Sequence, residues 1–127
     1  MVPAGSERMV LVAVWGRRLA AMAVATDVNP GTSPLLSLRT AMSLAVSLFD
    51  LQVEEALLGT TLHAAKALGL QETHGALAPG KRADFVCWEA ESPSELVYWL
   101  GGMLAREVVA GGNIIHGRPE QIGRAHV

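Results

Sequence analysis

The sequence predicts an α/β fold: the closing strand and helices of a barrel, followed by a small β-rich module. Three observations carry that prediction. The continuous apolar run Leu19 to Ala25 reads as a strand buried on both faces, and it delivers Asp27 into the Pro/Gly turn Asp27-Val28-Asn29-Pro30-Gly31-Thr32. Helical spacing then occupies the stretch from about Leu35 to Gly69. After Leu70 the pattern shortens to strand-length runs separated by glycine and proline turns. An acid at the C-terminal mouth of a buried strand is where α/β barrels keep their catalytic groups, so the arrangement reads as part of an enzyme.

Taken in order, residues 1–18 show no clear period or caps and stand as an unassigned or non-native leader. Arg8 before the apolar run Met9 to Trp15, with Ala23-Val24-Ala25 further on, superficially mimics a secretory signal. Gly16-Arg17-Arg18 divides that region into two runs, neither near the roughly 18 residues that cross a bilayer. Ser33 is a suitable N-cap with Pro34 at the first helical position, opening a helix from about Leu35 to Phe49. Its polar residues Ser37, Thr40, Ser43 and Ser47 share one narrow stripe, which predicts a largely buried helix. A second helix spans about Val53 to Leu58, with Glu54 and Glu55 near its positive end and Gly59 as a break. Thr60 then caps a third helix, whose apolar seam is Leu62, Ala65 and Leu68 and whose C′ residue is Gly69.

Strands are expected at Gly75 to Leu77, Ala83 to Glu89, Ala105 to Ala110 and Asn113 to His116. Ala78-Pro79-Gly80-Lys81 and Gly111-Gly112 are the turns. Between them, Pro93 to Leu100 fits a short helix and an irregular strand equally. The domain reading is a leader at 1–18, the C-terminal part of a barrel at 19–72, part of a β domain at 73–118 and a tail at 119–127.

Composition narrows the function. Half of the 127 residues are hydrophobic, which argues against disorder. The formal net charge is −2 with no basic stripe, so nothing offers a nucleic acid its phosphate-neutralising face. Neither a membrane span nor a disulfide framework is expected: the single cysteine, Cys87, lies in the apolar run Ala83 to Trp88 and reads as a small buried hydrophobe. A reducing compartment, the cytoplasm, suits that usage.

Two readings of Asp27 stand side by side. In one it is an Asx-turn acceptor that satisfies backbone N–H groups of a Pro/Gly loop. In the other it is a metal-ligating carboxylate that also accepts a proton from water, because a carboxylate binds a hard cation and remains basic enough for that task. Asn29, Gly31 and Thr32 form a polar loop at a helix entrance, suited either to plain turn chemistry or to an anionic ligand. His63, His74, His116 and His126 make no His-x-His or His-x3-His pair, so no local zinc motif can be drawn. Trp88, Tyr98 and Trp99 read as core or module-interface aromatics.

Here the residues resemble a known family. Ala25-Thr26-Asp27-Val28-Asn29-Pro30-Gly31-Thr32-Ser33-Pro34 resembles the eighth-strand motif of the imidazolonepropionase family of the amidohydrolase superfamily. Gly75 to Asp84 is similar to the return into the small β domain of many amidohydrolases, and Glu95-Leu96-Val97-Tyr98-Trp99 adds to the imidazolonepropionase likeness. The resemblance covers roughly residues 20–118. It implies the last strand and helices of a metal-dependent (β/α)8 amidohydrolase barrel, followed by part of a small β-sandwich domain. It further implies ring opening of the small-molecule substrate imidazolone propionate to N-formimidoyl-L-glutamate in histidine degradation. By match to the motif, Asp27 is the metal ligand and catalytic group, the metal being zinc or iron, divalent or ferric. Asn29, Gly31 and Thr32 are the substrate contacts. A homodimer of the parent enzyme is compatible with the resemblance.

The family's histidine ligands, a His-x-His pair and at least one more, have no match here, so this chain alone is expected to be inactive. Gln52-Val53 replaces a common Thr-Pro, which predicts a weaker cap on the second helix. Ile122 to Val127 resemble an in-frame translation of a sequencing adapter, and the expectation is an artificially truncated frame. Two alternatives stay open. One is a fragment of another amidohydrolase, a deaminase or cyclic amidase, sharing the Leu-x-Pro-Gly-Lys-x-Ala-Asp turn. The other is a small stand-alone, non-catalytic α+β binding module.

Overall fold

The computed structural model describes residues 21–102 and 105–117. The leader at 1–18, the start of the first predicted strand and nearly all of the tail, with its adapter-like residues, lie outside them. Four helices and three strands follow in order: α1 (Leu38–Phe49), α2 (Val53–Thr60), α3 (Leu62–Ala67), β1 (Phe85–Trp88), α4 (Pro93–Tyr98), β2 (Ala105–Ala110) and β3 (Asn113–His116).

Residues 21–25, expected as a strand buried on both faces, join no ladder among the described residues. Their exposure alternates, with Met22 and Val24 half-buried. They cross α2, where Val24 N–H donates to the Gly59 carbonyl at 2.8 Å. Gly59 therefore does not end the second helix; it lies inside α2 and permits this crossing. A Cβ at position 59 would stand 2.7 Å from Val24 Cγ2 and 3.0 Å from the Met22 carbonyl oxygen.

The first helix begins three residues later than expected. Ser37 is its N-cap, accepting from Thr40 N–H at 3.2 Å. Ser33 is not a cap, because its hydroxyl is turned back to donate to the Thr26 carbonyl at 2.8 Å. The helix is also less buried than its composition predicts. Its buried residues are Ala41, Met42, Ser43 and Ala45, while Leu48 is 65% exposed. Of the polar stripe only Ser43 is buried, its Oγ donating to Val97 O of α4 at 2.6 Å; Ser37 and Ser47 are exposed, and Ser47 Oγ bonds back to Ser43 O of its own helix at 2.5 Å.

At the entrance of α2, Glu55 Oε2 accepts the N–H of Gln52 at 2.7 Å, supplying the glutamate half of a capping box. This offsets the missing Thr-Pro. Thr61 rather than Thr60 precedes α3. The hydroxyls of both threonines donate to Leu57 O, at 3.1 and 2.7 Å, which turns them back onto α2, and Thr61 makes no side-chain cap bond to α3. The helix ends at Ala67, and Gly69 follows at φ 72°.

The sheet is antiparallel, in the order β1-β2-β3. Phe85 faces Val109 and Cys87 faces Glu107, with an irregularity before Trp88. Gly111 and Gly112 both have positive φ, 57° and 80°, as a two-residue type I′ hairpin requires. The expected strand at Gly75 to Leu77 is instead loop and joins no ladder among the described residues; the residues on either side are tied by His74 N–H to Leu70 O and Arg82 N–H to Thr73 O. Cys87 is exposed, not buried, since β1 is covered by no second layer among the described residues. Of the sheet, only Val109 is buried.

Of the segment 93–100, Pro93–Tyr98 form α4, with Pro93 at its first turn, and the backbone is extended at Trp99. The α1 residue Arg39 joins the helices to the sheet side, stacking 5.8 Å from the Trp88 ring and donating to Trp99 O at 3.0 Å. Tyr98 and Trp99 meet edge to face at 4.9 Å and are largely exposed. No helix among the described residues is long and apolar enough to cross a membrane.

Candidate functional site

Asp27 follows residues 21–26 at the point where the chain turns away from α2. Its φ is 50°, a left-handed conformation that aspartate tolerates better than most residues. Asn29 makes the turn. Its Oδ1 accepts Gly31 N–H at 2.9 Å, Thr32 N–H at 2.8 Å and Thr32 Oγ1 at 3.2 Å, while its Nδ2 donates to Asp27 O at 2.7 Å. Asn29 N–H bonds to Ser33 O at 2.9 Å, closing the loop at its base. Thr26 Oγ1 accepts Val28 N–H at 3.3 Å, and the Thr26 carbonyl receives Ser33 Oγ.

The Asx-turn role therefore belongs to Asn29 and not to Asp27. The Asp27 carboxylate has no hydrogen-bond or ion-pair partner among the described residues, and its residue is exposed. All four site residues expected from sequence, Asp27, Asn29, Gly31 and Thr32, lie in this one loop. Thr26 and Ser33, which pin its two ends, are the residues that sequence reasoning missed. Their signal is faint: each is a hydroxyl side chain flanking the loop, the ordinary chemistry of turns.

A second polar cluster lies away from that loop. The Asp84 carboxylate accepts Gly111 N–H at 2.6 Å and Arg82 Nε at 3.0 Å, and His74 Nε2 stands 3.8 Å from it. The Gly111 N–H first, and then Arg82 and His74, hold its carboxyl below the usual carboxylate range against a smaller opposing effect of desolvation. Lys81 Nζ donates to Gln71 O and, at 3.4 Å, to His74 O. Each charged group here has a local partner, so this cluster fastens a loop to the β2–β3 hairpin.

As a metal site, the loop is one corner and not a whole. Asp27 offers a hard oxygen donor that nothing else occupies, yet no three His, Cys, Asp or Glu residues among those described are grouped to hold an ion. His63 is half-buried in α3, His74 faces Asp84 and His116 is exposed; none is grouped with Asp27. His126 lies outside the described residues.

An extended segment thus presents the Asp27 carboxylate from a loop that helices and a small antiparallel sheet follow. The amidohydrolase family model matches residues 8–115, and the chain belongs to the amidohydrolase family. Within it, the chain is similar to imidazolonepropionases. It is 63% identical over 89 residues to that of Pseudomonas paraeruginosa, covering 70% of this chain and 22% of the relative. It is 57% identical over 91 residues to that of Acinetobacter baumannii, covering 72% and 23%. A crystal structure of an amidohydrolase from Thermotoga maritima superposes with a TM-score of 0.68 at 25% identity, over 87% of this chain and 26% of that one. The chain thus spans between 22% and 26% of the length of these relatives.

Proposed function

We propose that this chain is the C-terminal segment of an imidazolonepropionase-type hydrolase, which opens the ring of imidazolone propionate to N-formimidoyl-L-glutamate in histidine degradation. The observation that carries the reading is the Asp27 carboxylate, without a partner among the described residues, on a loop that the Asn29 side chain fastens. The similarity to imidazolonepropionases supplies the substrate.

In this reading residues 19–72 close a (β/α)8 barrel and residues 73–118 belong to a β-sandwich. The parent enzyme is cytoplasmic and can form a homodimer. Asp27 would hold a zinc or iron ion together with histidines supplied by the rest of the parent. When bound, that ion would provide Lewis-acid chemistry and lower the pKa of water. Asp27 would take the proton released as water adds to the ring carbon and return it to the ring nitrogen as that C–N bond breaks. Asn29, Gly31 and Thr32 line the propionate end of the substrate; because Asn29 Oδ1 already holds the Gly31 and Thr32 N–H groups, the donor left for the propionate is the second Nδ2 hydrogen of Asn29. One carboxylate cannot hold a catalytic metal, so the 127-residue chain by itself is inactive.

The test is turnover by the full-length enzyme carrying this segment, on imidazolone propionate against cyclic amides and aminopurines. Ring opening of imidazolone propionate, abolished by Asp27→Asn with loss of bound metal, supports the reading. Preference for a cyclic amide or an aminopurine moves the assignment to another amidohydrolase. Full turnover and full metal content in Asp27→Asn removes Asp27 from the site.

A further inference from the structure

We infer that Asn29 is a positioning residue for Asp27, acting through the backbone beneath the carboxylate; this deepens the reading above and rests on Asp27 being a metal ligand. Asp27 sits at φ 50°, outside the regions that side-chain-bearing residues prefer, so something must hold it there. The Asn29 side chain does so from both ends of its amide. Nδ2 clasps Asp27 O at 2.7 Å, while Oδ1 is anchored by two backbone N–H groups and the Thr32 hydroxyl, at 2.8 to 3.2 Å. The amide is therefore a strut between the Gly31-Thr32 turn and the peptide that orients the Asp27 side chain.

An aspartate here would keep the acceptor and lose the donor, and a serine would be too short to span both ends. Only an amide of this length satisfies the two sides together. One Nδ2 hydrogen remains for a ligand, so positioning and substrate contact are separable roles of one side chain. A contact affects substrate affinity; a strut affects metal affinity and the chemical step.

The experiment uses the full-length enzyme carrying this segment, with Asn29→Ala, Asn29→Asp and Asp27→Asn compared. Three readouts are taken: metal affinity by titration, the split between kcat and KM at saturating metal, and exchange of the Gly31 and Thr32 amides. Expected for Asn29→Ala is about a ten- to hundredfold loss in metal affinity and in kcat. KM should rise as well, because the N–H toward substrate is lost with the strut, and the two amides should exchange faster. Asn29→Asp should retain slow exchange at both amides and still bind metal more weakly, because only the Asp27 clasp is lost.

Unchanged metal affinity and kcat with a raised KM in Asn29→Ala would overturn the proposal in favour of a substrate contact alone. If neither Asn29 variant folds while Asp27→Asn does, Asn29 serves the fold and the positioning role is refuted. Should Asp27→Asn itself keep full metal and turnover, the underlying reading of Asp27 falls. An inactive Asp27→Asn beside an unaffected Asn29→Ala sinks the strut alone.

Discussion

The Asp84 carboxylate receives the backbone N–H of Gly111 at 2.6 Å, joining the loop before β1 to the turn between β2 and β3. The same oxygen takes Arg82 Nε at 3.0 Å. With Gly112 N–H bonded to Ala83 O at 2.9 Å, the hairpin turn is fastened at two adjacent residues. Because the folded-state pKa of Asp84 is lowered, its contribution is present at neutral pH and is lost as pH falls through the folded value. Asp84→Asn should therefore remove part of the acid sensitivity of unfolding below about pH 4. Urea titrations of both forms between neutral and acid pH check this. Stability gaps between wild type and variant that stay constant down the acid range would contradict it. Gly111 amide exchange should also accelerate in the variant at neutral pH.

Gly59 gives a prediction whose sign depends on comparing two effects. Replacing a helix-interior glycine by alanine ordinarily gains up to about 1 kcal/mol of helix propensity. Here the new Cβ would stand 2.7 Å from Val24 Cγ2 and 3.0 Å from the Met22 carbonyl oxygen, and the second is backbone that cannot swing aside. Overpacking of this kind costs about 1 to 3 kcal/mol, so Gly59→Ala should destabilise despite the propensity gain. Chemical denaturation of the full-length enzyme checks it, and a stabilised variant would mean that residues 21–25 do not cross α2 as described.

These two contacts also mark what the sequence carries and what it withholds. The boundaries of β2 and β3 and the paired glycines between them are legible because turn chemistry is local. The Asp27 loop is legible for the same reason: its aspartate, asparagine, proline and glycine lie within five residues. Gly59 reads as a helix breaker from sequence, because the reason for a glycine there is Val24, 35 residues away. Ser33 and Ser37 are equally good caps in isolation, and the Thr26 carbonyl decides between them. Cys87 reads as buried because an apolar run implies a covering layer, and only contacts distant in sequence reveal whether one is present.

Ser43 tests the contact between α1 and α4. It is 5% exposed, and its hydroxyl donates to Val97 O at 2.6 Å, with a longer bond of 3.3 Å to Arg39 O. Ser43→Ala deletes the link between α1 and α4 at little cost in volume and should cost about 1 kcal/mol. Ser43→Leu adds bulk where α4 packs and should cost about 1 to 3 kcal/mol. Equal stability of the serine and leucine forms would show that α4 does not dock on this face. Tryptophan fluorescence gives a second readout, since Trp99 lies at the end of α4 and accepts from Arg39 through its carbonyl.

The 127-residue chain expressed alone distinguishes the fragment from the stand-alone module. Its buried apolar residues among those described are Ala41, Met42, Ala45, Leu51, Ala56, Ala65 and Val109, and four of these seven are alanines. Alanine contributes little apolar area, so this core is thin. Meanwhile Leu36 is 84% exposed, Leu48 65%, Leu68 73% and Leu77 71%. Large apolar side chains uncovered in such numbers favour association or a loosely packed state. The relatives are about three times as long as this chain and offer a ready source of the missing cover. The isolated chain should bind a hydrophobic dye, show far-ultraviolet helical signal with weak near-ultraviolet signal, and melt without a sharp transition. A single cooperative transition with no dye binding would establish instead a domain that folds by itself, and the barrel-fragment reading would be abandoned.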